Sequence, residues 1–254
     1  MSSAGMRAES AVILCGGKGS RIYPFSAYFP KPMIPVKGRP ILVHIMQIYA
    51  TQGIRKFILA AGHRHEILND YFDGRFREWK IEILDTGQET ETADRIRSCL
   101  DHVDESFFVT YGDGVGNVDL SRLFDCHRNS GAAATVTGVR LRSPFGTLTV
   151  DSAGKVTLFS EKPTLDGCWI NAGFFVFERE KVKQWKGHSL ETEVLPQLAK
   201  EGELSTYLHS GFWRSLDTNK DQQQLEELAS ISPLPWLQAS IVSRDAPEGN
   251  PNNE

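Results

Sequence analysis

The sequence predicts an α/β fold: a mixed, mainly parallel sheet flanked by helices, with a small β-rich extension. Three observations carry that reading. The first half alternates short β-rich runs with amphipathic segments, the pattern of a parallel sheet covered by helices. From Ala132 the texture changes to successive β-rich runs, which extends the sheet rather than repeating the first pattern. The chain has 254 residues, 40% hydrophobic and 24% charged, which suits one soluble globular unit with a substantial core.

Taken in order, "AVILC" is the first strand and "ILVHIMQIYA" the first helix. Pro40 falls at that helix's first turn, where proline is tolerated, and Gly53 closes it. The run "KFILA" is a strand, "EILNDYF" a helix, "IEIL" a strand, "RIRSCLDHV" a helix and "SFFVTYGDG" a strand. The β-rich runs that follow are "AAATVTGVRL", "GTLTV", "KVTLFSEK" and "CWINAGFFVF". Helical "LETEVLPQLAKEG", the strand "LSTYLH" and the amphipathic "NKDQQQLEELAS" complete the pattern. Residues 1–231 are expected to form one domain, followed by a tail over 232–254 whose Pro, Asn and Ser content predicts weak order at least beyond Arg244.

Composition excludes several functions. The net charge of -4 is that of a globular protein and not of a nucleic-acid binder, so any positive site must be local. Cys15, Cys99, Cys126 and Cys168 are scattered, with no C-x-x-C pair, and read as reduced cytosolic thiols. No apolar run approaches the roughly 20 residues that cross a bilayer, and the opening "MSSAGMRAES" lacks the apolar core of a secretion signal. A cytoplasmic protein with no membrane and no nucleic-acid partner is expected.

The segment "CGGKGSR" lies at the carboxyl end of the first strand, where open α/β sheets bind ligands. Gly16, Gly17 and Gly19 have no Cβ, so their amides can approach an anion closely. The anion these features suit is phosphate. The P-loop pattern is absent, and the dinucleotide fingerprint fails because its sixth position, counted from Gly17, is Ile22. Arg21, Lys31 and Lys18 supply charge-assisted donors from the same long loop, and Pro30 and Pro32 restrict the backbone of Lys31. As a plain surface loop the same glycines would only turn the chain.

Asp113 in "TYGDG" ends a β-like run between glycines, and Asp217 in "GFWRSLDT" follows an aromatic strand-like run. Two carboxylates can anchor one Mg²⁺, which keeps waters and takes further ligands from substrate phosphates. Either could instead cap a turn or helix, Asp217 the helix after it. In "FSEKP", Glu161 could accept sugar hydroxyls and Lys162 could meet a phosphate, or the two could form a solvated ion pair. Asn171 and Gly173 interrupt a run otherwise suited to burial, so the amide could serve a ligand hydroxyl or an internal turn. His63 and His65 read better as a strand end entering a helix than as metal ligands. No serine has a nucleophile-elbow context.

Assembled, these residues resemble the sugar-phosphate nucleotidyltransferases. In that family G-G-x-G-x-R follows the first strand and K-P comes next, here Gly16 to Arg21 and Lys31-Pro32. The G-D-G of Asp113, Phe145-Gly146, "EKP" at Glu161, "NAGFFVF" at Asn171 and "GFW" leading to "LDT" at Asp217 follow in chain order over nearly the whole sequence. The likeness is greatest to cytidylyl-transferring members that act on glucose 1-phosphate, through "GRPILVHIMQIYATQGIRKFILAAGH", "LDTG" and "FVTYGDGVGNVDL".

The resemblance implies a Rossmann-like nucleotidyltransferase fold, with a nucleotide-binding half about 9–130 and an acceptor-binding half about 131–231. It also implies Mg²⁺, a homo-oligomer, and transfer from CTP to a sugar 1-phosphate with release of pyrophosphate. It places Leu14, Gly16, Gly17, Gly19, Ser20 and Gly112 on the nucleotide, with Asp85, Thr86 and Gly87 opposite the base. Tyr111, Gly146, Glu161 and Asn171 fall on the acceptor, and Asp113 and Asp217 on the metal. Arg21 is assigned to the β and γ phosphates, Lys31 to the α-phosphate region and Lys162 to the incoming sugar phosphate. Where the pattern has T-G-G-R-L, this chain has Thr92-Ala93-Asp94-Arg95-Ile96, so acceptor choice is expected to turn on this altered segment around Asp94, which lacks two glycines and gains a carboxylate. Transfer to another phosphorylated or phosphonate acceptor, use of UTP or dTTP, and a catalytically silent nucleotide-sugar sensor are the alternatives.

Overall fold

The computed structural model describes residues 8–17, 22 and 28–238. The first strand, β1 (Ser10–Leu14), is buried along its whole length. A two-residue hairpin, β2 (Pro35–Val36) and β3 (Arg39–Pro40), precedes helix α1 (Ile41–Thr51). Pro40 lies outside that helix, not in its first turn: its ψ of 141° keeps it extended and pairs it with Pro35. Gly53, at φ 100°, follows the helix end as expected. Next come β4 (Lys56–Ala61), α2 (His65–Phe72), β5 (Lys80–Asp85), α3 (Thr92–Arg97), β6 (Ser106–Tyr111), the short β7 (Gly114–Gly116) and α4 (Leu120–Ser130).

The second half supplies β8 (Ala134–Arg142), a ribbon of β9 (Thr147–Val150) and β10 (Val156–Ser160), and the long β11 (Thr164–Glu178). It ends with α5 (Arg179–Val182), α6 (Leu195–Glu201), β12 (Leu204–His209), β13 (Trp213–Ser215) and α7 (Asn219–Leu228). Seven strands form one sheet in the order β12-β8-β11-β6-β1-β4-β5. The β5, β4, β1 and β6 strands run parallel, β11 is antiparallel to both its neighbours, and β12 is parallel to β8.

Because side chains alternate across a strand, the apolar runs of the central strands feed two cores at once. Ala11 and Ile13 of β1, Phe57 and Leu59 of β4, and Phe108 of β6 join one cluster. Val12, Ile58, Phe107 and Val109 join the other. Burying each large side chain contributes about 1.5–3 kcal/mol. The segment from residue 232 is not tail throughout: Trp236 is buried and packs against His44 and Phe212. An indole there has more apolar area to bury than its Pro-rich surroundings suggest. The stretch beyond Arg244 lies outside the described residues.

Candidate active site

The site forms at the carboxyl ends of β1 and β6. Leu14 pairs with Tyr111, and the Gly112 N–H donates to the Leu14 carbonyl at 3.1 Å. Both strands therefore release their chains, Cys15–Gly17 and Gly112–Asp113, at one level. Asp113 and Asp217 meet for a backbone reason. They flank the small antiparallel ladder of β7 and β13, in which Gly114 pairs with Ser215, and the Leu216 N–H donates to the Asp113 carbonyl at 2.8 Å. Lys31 starts a tight turn, Lys31–Met33, held by buried Pro32 and Met33.

Its ammonium reaches between the two carboxylates, 2.6 Å from Asp113 Oδ2 and 2.8 Å from Asp217 Oδ1. Burial disfavours the Lys31 charge, but the attraction and hydrogen bonds of Asp113, then Asp217, outweigh it and hold its pKa above the ordinary value. Asp217 does not cap α7. Thr218 does, in a reciprocal box with Asp221, which leaves the Asp217 carboxylate to Lys31.

A cavity of about 460 Å³ opens beside this cluster. Leu14, Gly16 and Gly17 line one side, with Lys31, Tyr111, Gly112 and Asp113 beneath. The opposite wall is Gln88 to Thr92 with Arg95, rather than Asp85 to Gly87. Those three residues instead support the wall. Asp85 accepts from the Gly87 N–H at 3.0 Å, while Thr86 Oγ1 and the Gly87 carbonyl accept from Arg95 Nη1 at 2.5 and 2.8 Å.

Arg95, 4% exposed, is the cavity-lining residue that sequence reasoning did not single out. Its guanidinium also donates to the carbonyls of Ala61 at 2.9 Å and Thr90 at 2.8 Å, satisfying a buried charge with neutral acceptors. It lies so close to Gly16 that a Cβ there would fall on the guanidinium. The only available signal was the Arg within the divergent segment Thr92 to Ile96.

Asp94, in that same segment, does not line the cavity. Its carboxylate pairs with Arg97 and with His188 Nδ1, the latter at 2.7 Å. The altered segment does border the cavity, through Thr92 and Arg95, while the helical turn of α3 directs the Asp94 carboxylate to His188 in the chain before α6.

Tyr111 links the acceptor candidates. Its hydroxyl donates to Glu191 Oε1 at 2.6 Å and accepts from Asn171 Nδ2 at 3.1 Å. Burial, then the Glu191 charge, pushes the phenol pKa far upward, so it stays a neutral donor. Asn171 Oδ1 takes the Gly173 N–H at 2.8 Å, and Gly173 adopts φ 78° with the Tyr111 ring occupying the place a Cβ would take. Only a residue without Cβ fits there.

Glu161 and Gly146 adjoin each other, since a Cβ on Gly146 would lie 3.0 Å from Glu161 Oε2. Lys162, at φ 48°, is 3.5 Å from Glu161 Oε1. None of Gly146, Glu161 and Lys162 lines the first cavity. Gly19, Ser20 and Arg21 lie outside the described residues, as does Lys18. Among the described residues no group of three or more His, Cys, Asp or Glu side chains could hold a metal ion, His63 and His65 included.

The fold, the glycine-rich strand end and the paired aspartates define a nucleotide-transferring enzyme. The Nucleotidyl transferase family matches residues 10–225, and this chain belongs to that family. It is 41% identical to a probable glucose-1-phosphate cytidylyltransferase of Bacillus subtilis, over 89% of this chain and 98% of that relative. Identity to glucose-1-phosphate cytidylyltransferase of Salmonella typhi is 35%, over the same shares of the two chains. Among solved structures, HddC from Yersinia pseudotuberculosis superposes with a TM-score of 0.70, covering 86% of this chain and 98% of that one. At 21% identity that likeness speaks for the fold.

Proposed function

We propose that the protein transfers a cytidylyl group from CTP to glucose 1-phosphate, giving CDP-glucose and pyrophosphate. The observation that carries this reading is the Asp113–Lys31–Asp217 cluster at the head of a cavity of nucleotide size. Sequence likeness to cytidylyltransferases acting on glucose 1-phosphate supports the choice of base and acceptor.

Asp113 and Asp217 already bind one cation, the Lys31 ammonium, so their oxygens are aimed at a common point and fit a divalent ion. Mg²⁺ is compatible with a site of two carboxylates because it takes its other ligands from water and substrate phosphates. When bound it would neutralise charge on the triphosphate. The sugar phosphate is largely a dianion at neutral pH, its second pKa being about 6, so its oxygen attacks the α-phosphorus without a general base. The new P–O bond forms as the bond to the β-phosphate oxygen breaks and pyrophosphate departs.

In this reading Lys31 serves the α-phosphate region, the β and γ phosphates are assigned to the amides of Gly16 and Gly17 and to Gly19, Ser20 and Arg21, which lie outside the described residues, and Lys162 serves the acceptor phosphate. Leu14, Gly16 and Gly17 offer backbone to the base against the Gln88–Thr92 wall that Arg95 holds. Tyr111, Asn171, Gly146 and Glu161 present polar atoms and close approach to the sugar hydroxyls.

A homo-oligomer is part of this reading. The β9–β10 ribbon exposes Leu148, Val150, Leu158 and Phe159, and a two-stranded ribbon with an apolar surface gains stability by packing on another subunit. A cytoplasmic site of action is supported by four free thiols, and no helix among the described residues is long and apolar enough to cross a membrane.

Pyrophosphate release measured over a matrix of nucleoside triphosphates and phosphorylated acceptors tests the reading. Release with CTP and glucose 1-phosphate above all other pairs is expected. Faster release with UTP, dTTP or a phosphonate acceptor would replace the substrate assignment, and no release from any pair despite bound nucleotide would make the protein a sensor.

A further inference from the structure

A second cavity, of about 850 Å³, opens between the end of β8, the Lys162 turn, β13 and the first turn of α7. It shares no lining residue with the nucleotide cavity. Five basic side chains line it, Arg140, Arg142, Lys162, Arg214 and Lys220, against a single carboxylate, Asp221. That carboxylate is already engaged: Asp221 Oδ2 accepts from the N–H of Asp217 at 3.1 Å, the N–H of Thr218 at 2.7 Å and the Thr218 hydroxyl at 2.8 Å.

Arg140 and Lys162 have carboxylate partners at 3.4 and 3.5 Å, Asp166 and Glu161, neither of which lines the cavity. Arg142, Arg214 and Lys220 form no ion pair among the described residues. Two of these cations are held in place through their own side chains. Arg142 Nε donates to the Lys162 carbonyl at 3.2 Å, and Arg214 Nη1 to the Trp213 carbonyl at 3.3 Å, which leaves the rest of each guanidinium fork open to a ligand. Lys220 adds its charge in the first turn of α7, where the helix dipole also favours an anion.

Four separate chain segments thus bring like charges into one concavity of a protein whose net charge is -4. Unpaired, such charges repel one another. A concave wall of one sign focuses its field on an incoming counter-charge, and guanidinium forks match phosphate geometry.

We propose that this cavity binds a phosphate group of a small anionic ligand, apart from the triphosphate. The group belongs either to a free inorganic phosphate species or to a second phosphate on the acceptor, whose first phosphate Lys162 would hold. The site itself stands on the charge arrangement, and only its acceptor arm rests on the proposed role of Lys162.

Calorimetric titration of inorganic pyrophosphate into the full chain, saturated with CTP in the absence of divalent metal, tests it. One pyrophosphate should bind, more weakly as salt rises, and Arg214→Gln with Lys220→Gln should weaken it at least tenfold. The affinity for CTP and the thermal midpoint should not move. Unchanged pyrophosphate affinity in that double variant, or no pyrophosphate binding once CTP is bound, would overturn the proposal. The source is separated by comparing glucose 1-phosphate with glucose 1,6-bisphosphate as acceptor. A lower KM for the bisphosphate that the double variant abolishes assigns the site to the acceptor, and a KM ratio indifferent to the variant assigns it to a free anion.

Discussion

The Lys31 ammonium lies 2.6 Å from the Asp113 carboxylate, while its other contact, Asp217, comes from 186 residues away in sequence. In the proposed reaction that ammonium stands where a divalent ion would sit, so lysine and metal compete for the same oxygens. Lys31→Met should therefore bind Mn²⁺ more tightly than the natural protein when no nucleotide is present, by at least severalfold in an electron paramagnetic resonance titration. Pyrophosphate release should fall by about 10² to 10³ in the same variant, as when one preorganised donor is lost. Weaker Mn²⁺ binding in the variant would show that Lys31 organises the carboxylates for metal instead of occupying their place.

Arg95 couples the glycine-rich strand end to the far wall of the cavity. Gly16→Ala would press a methyl group onto a guanidinium pinned by Ala61, Thr86, Gly87 and Thr90. Displacing it leaves buried carbonyls without donors, at about 1–3 kcal/mol. The denaturant midpoint should fall accordingly, and KM for the nucleotide should rise more than kcat falls, because the change reshapes the base wall and leaves the Lys31 cluster intact. Equal KM for wild type and Gly16→Ala would separate Arg95 from nucleotide binding.

Glu178 gives the fold an acid limit. His127 Nε2 donates to it at 2.9 Å and the Ser106 hydroxyl at 2.7 Å. The His127 hydrogen bond lowers the carboxyl pKa below its ordinary 4.5, burial opposes the shift, and Ser106 adds to it. A carboxylate depressed in the folded state contributes stability that is present above the unfolded pKa and is lost as pH falls through the folded value. Stability should thus decline below about pH 4.5, and Glu178→Gln should flatten that decline while lowering stability at pH 7. Parallel denaturation midpoints for the two proteins from pH 3 to 7 would contradict this.

How much was legible follows from how each residue is placed. Asp113 and Asp217 could be read as strand-end carboxylates because each closes a β-like run before a turn. That Lys31 stands between them depends on the β7–β13 ladder, and no local spacing encodes a pairing between residues a hundred apart. Arg95 was hidden because an arginine on a short amphipathic helix reads as solvated, and its burial depends on acceptors from β4 and the following loop. Trp236 was obscured by its prolines, although its indole fills a gap beside His44. The basic cavity was illegible for the same reason as the lysine bridge, since four segments with ordinary local charge contribute to it.

Asp94 offers a test in which the sequence expectation and the structure diverge. As the carboxylate that replaces a glycine of the related pattern, it would be expected to redirect acceptor choice. The structure instead engages it with Arg97 and His188, and it does not line the cavity. Asp94→Gly should therefore leave the order of acceptor preference unchanged in the pyrophosphate-release matrix. Its cost should appear in stability, at no more than about 1 kcal/mol, because the ion pair is partly exposed and solvent screens it. Helix α3 would lose a tie to the chain before α6, so the fall in thermal midpoint should shrink as salt rises and screens the pair in the natural protein. A switch of preferred acceptor in Asp94→Gly would mean that this carboxylate leaves Arg97 and His188 when substrates bind, and that the divergent segment sets specificity directly.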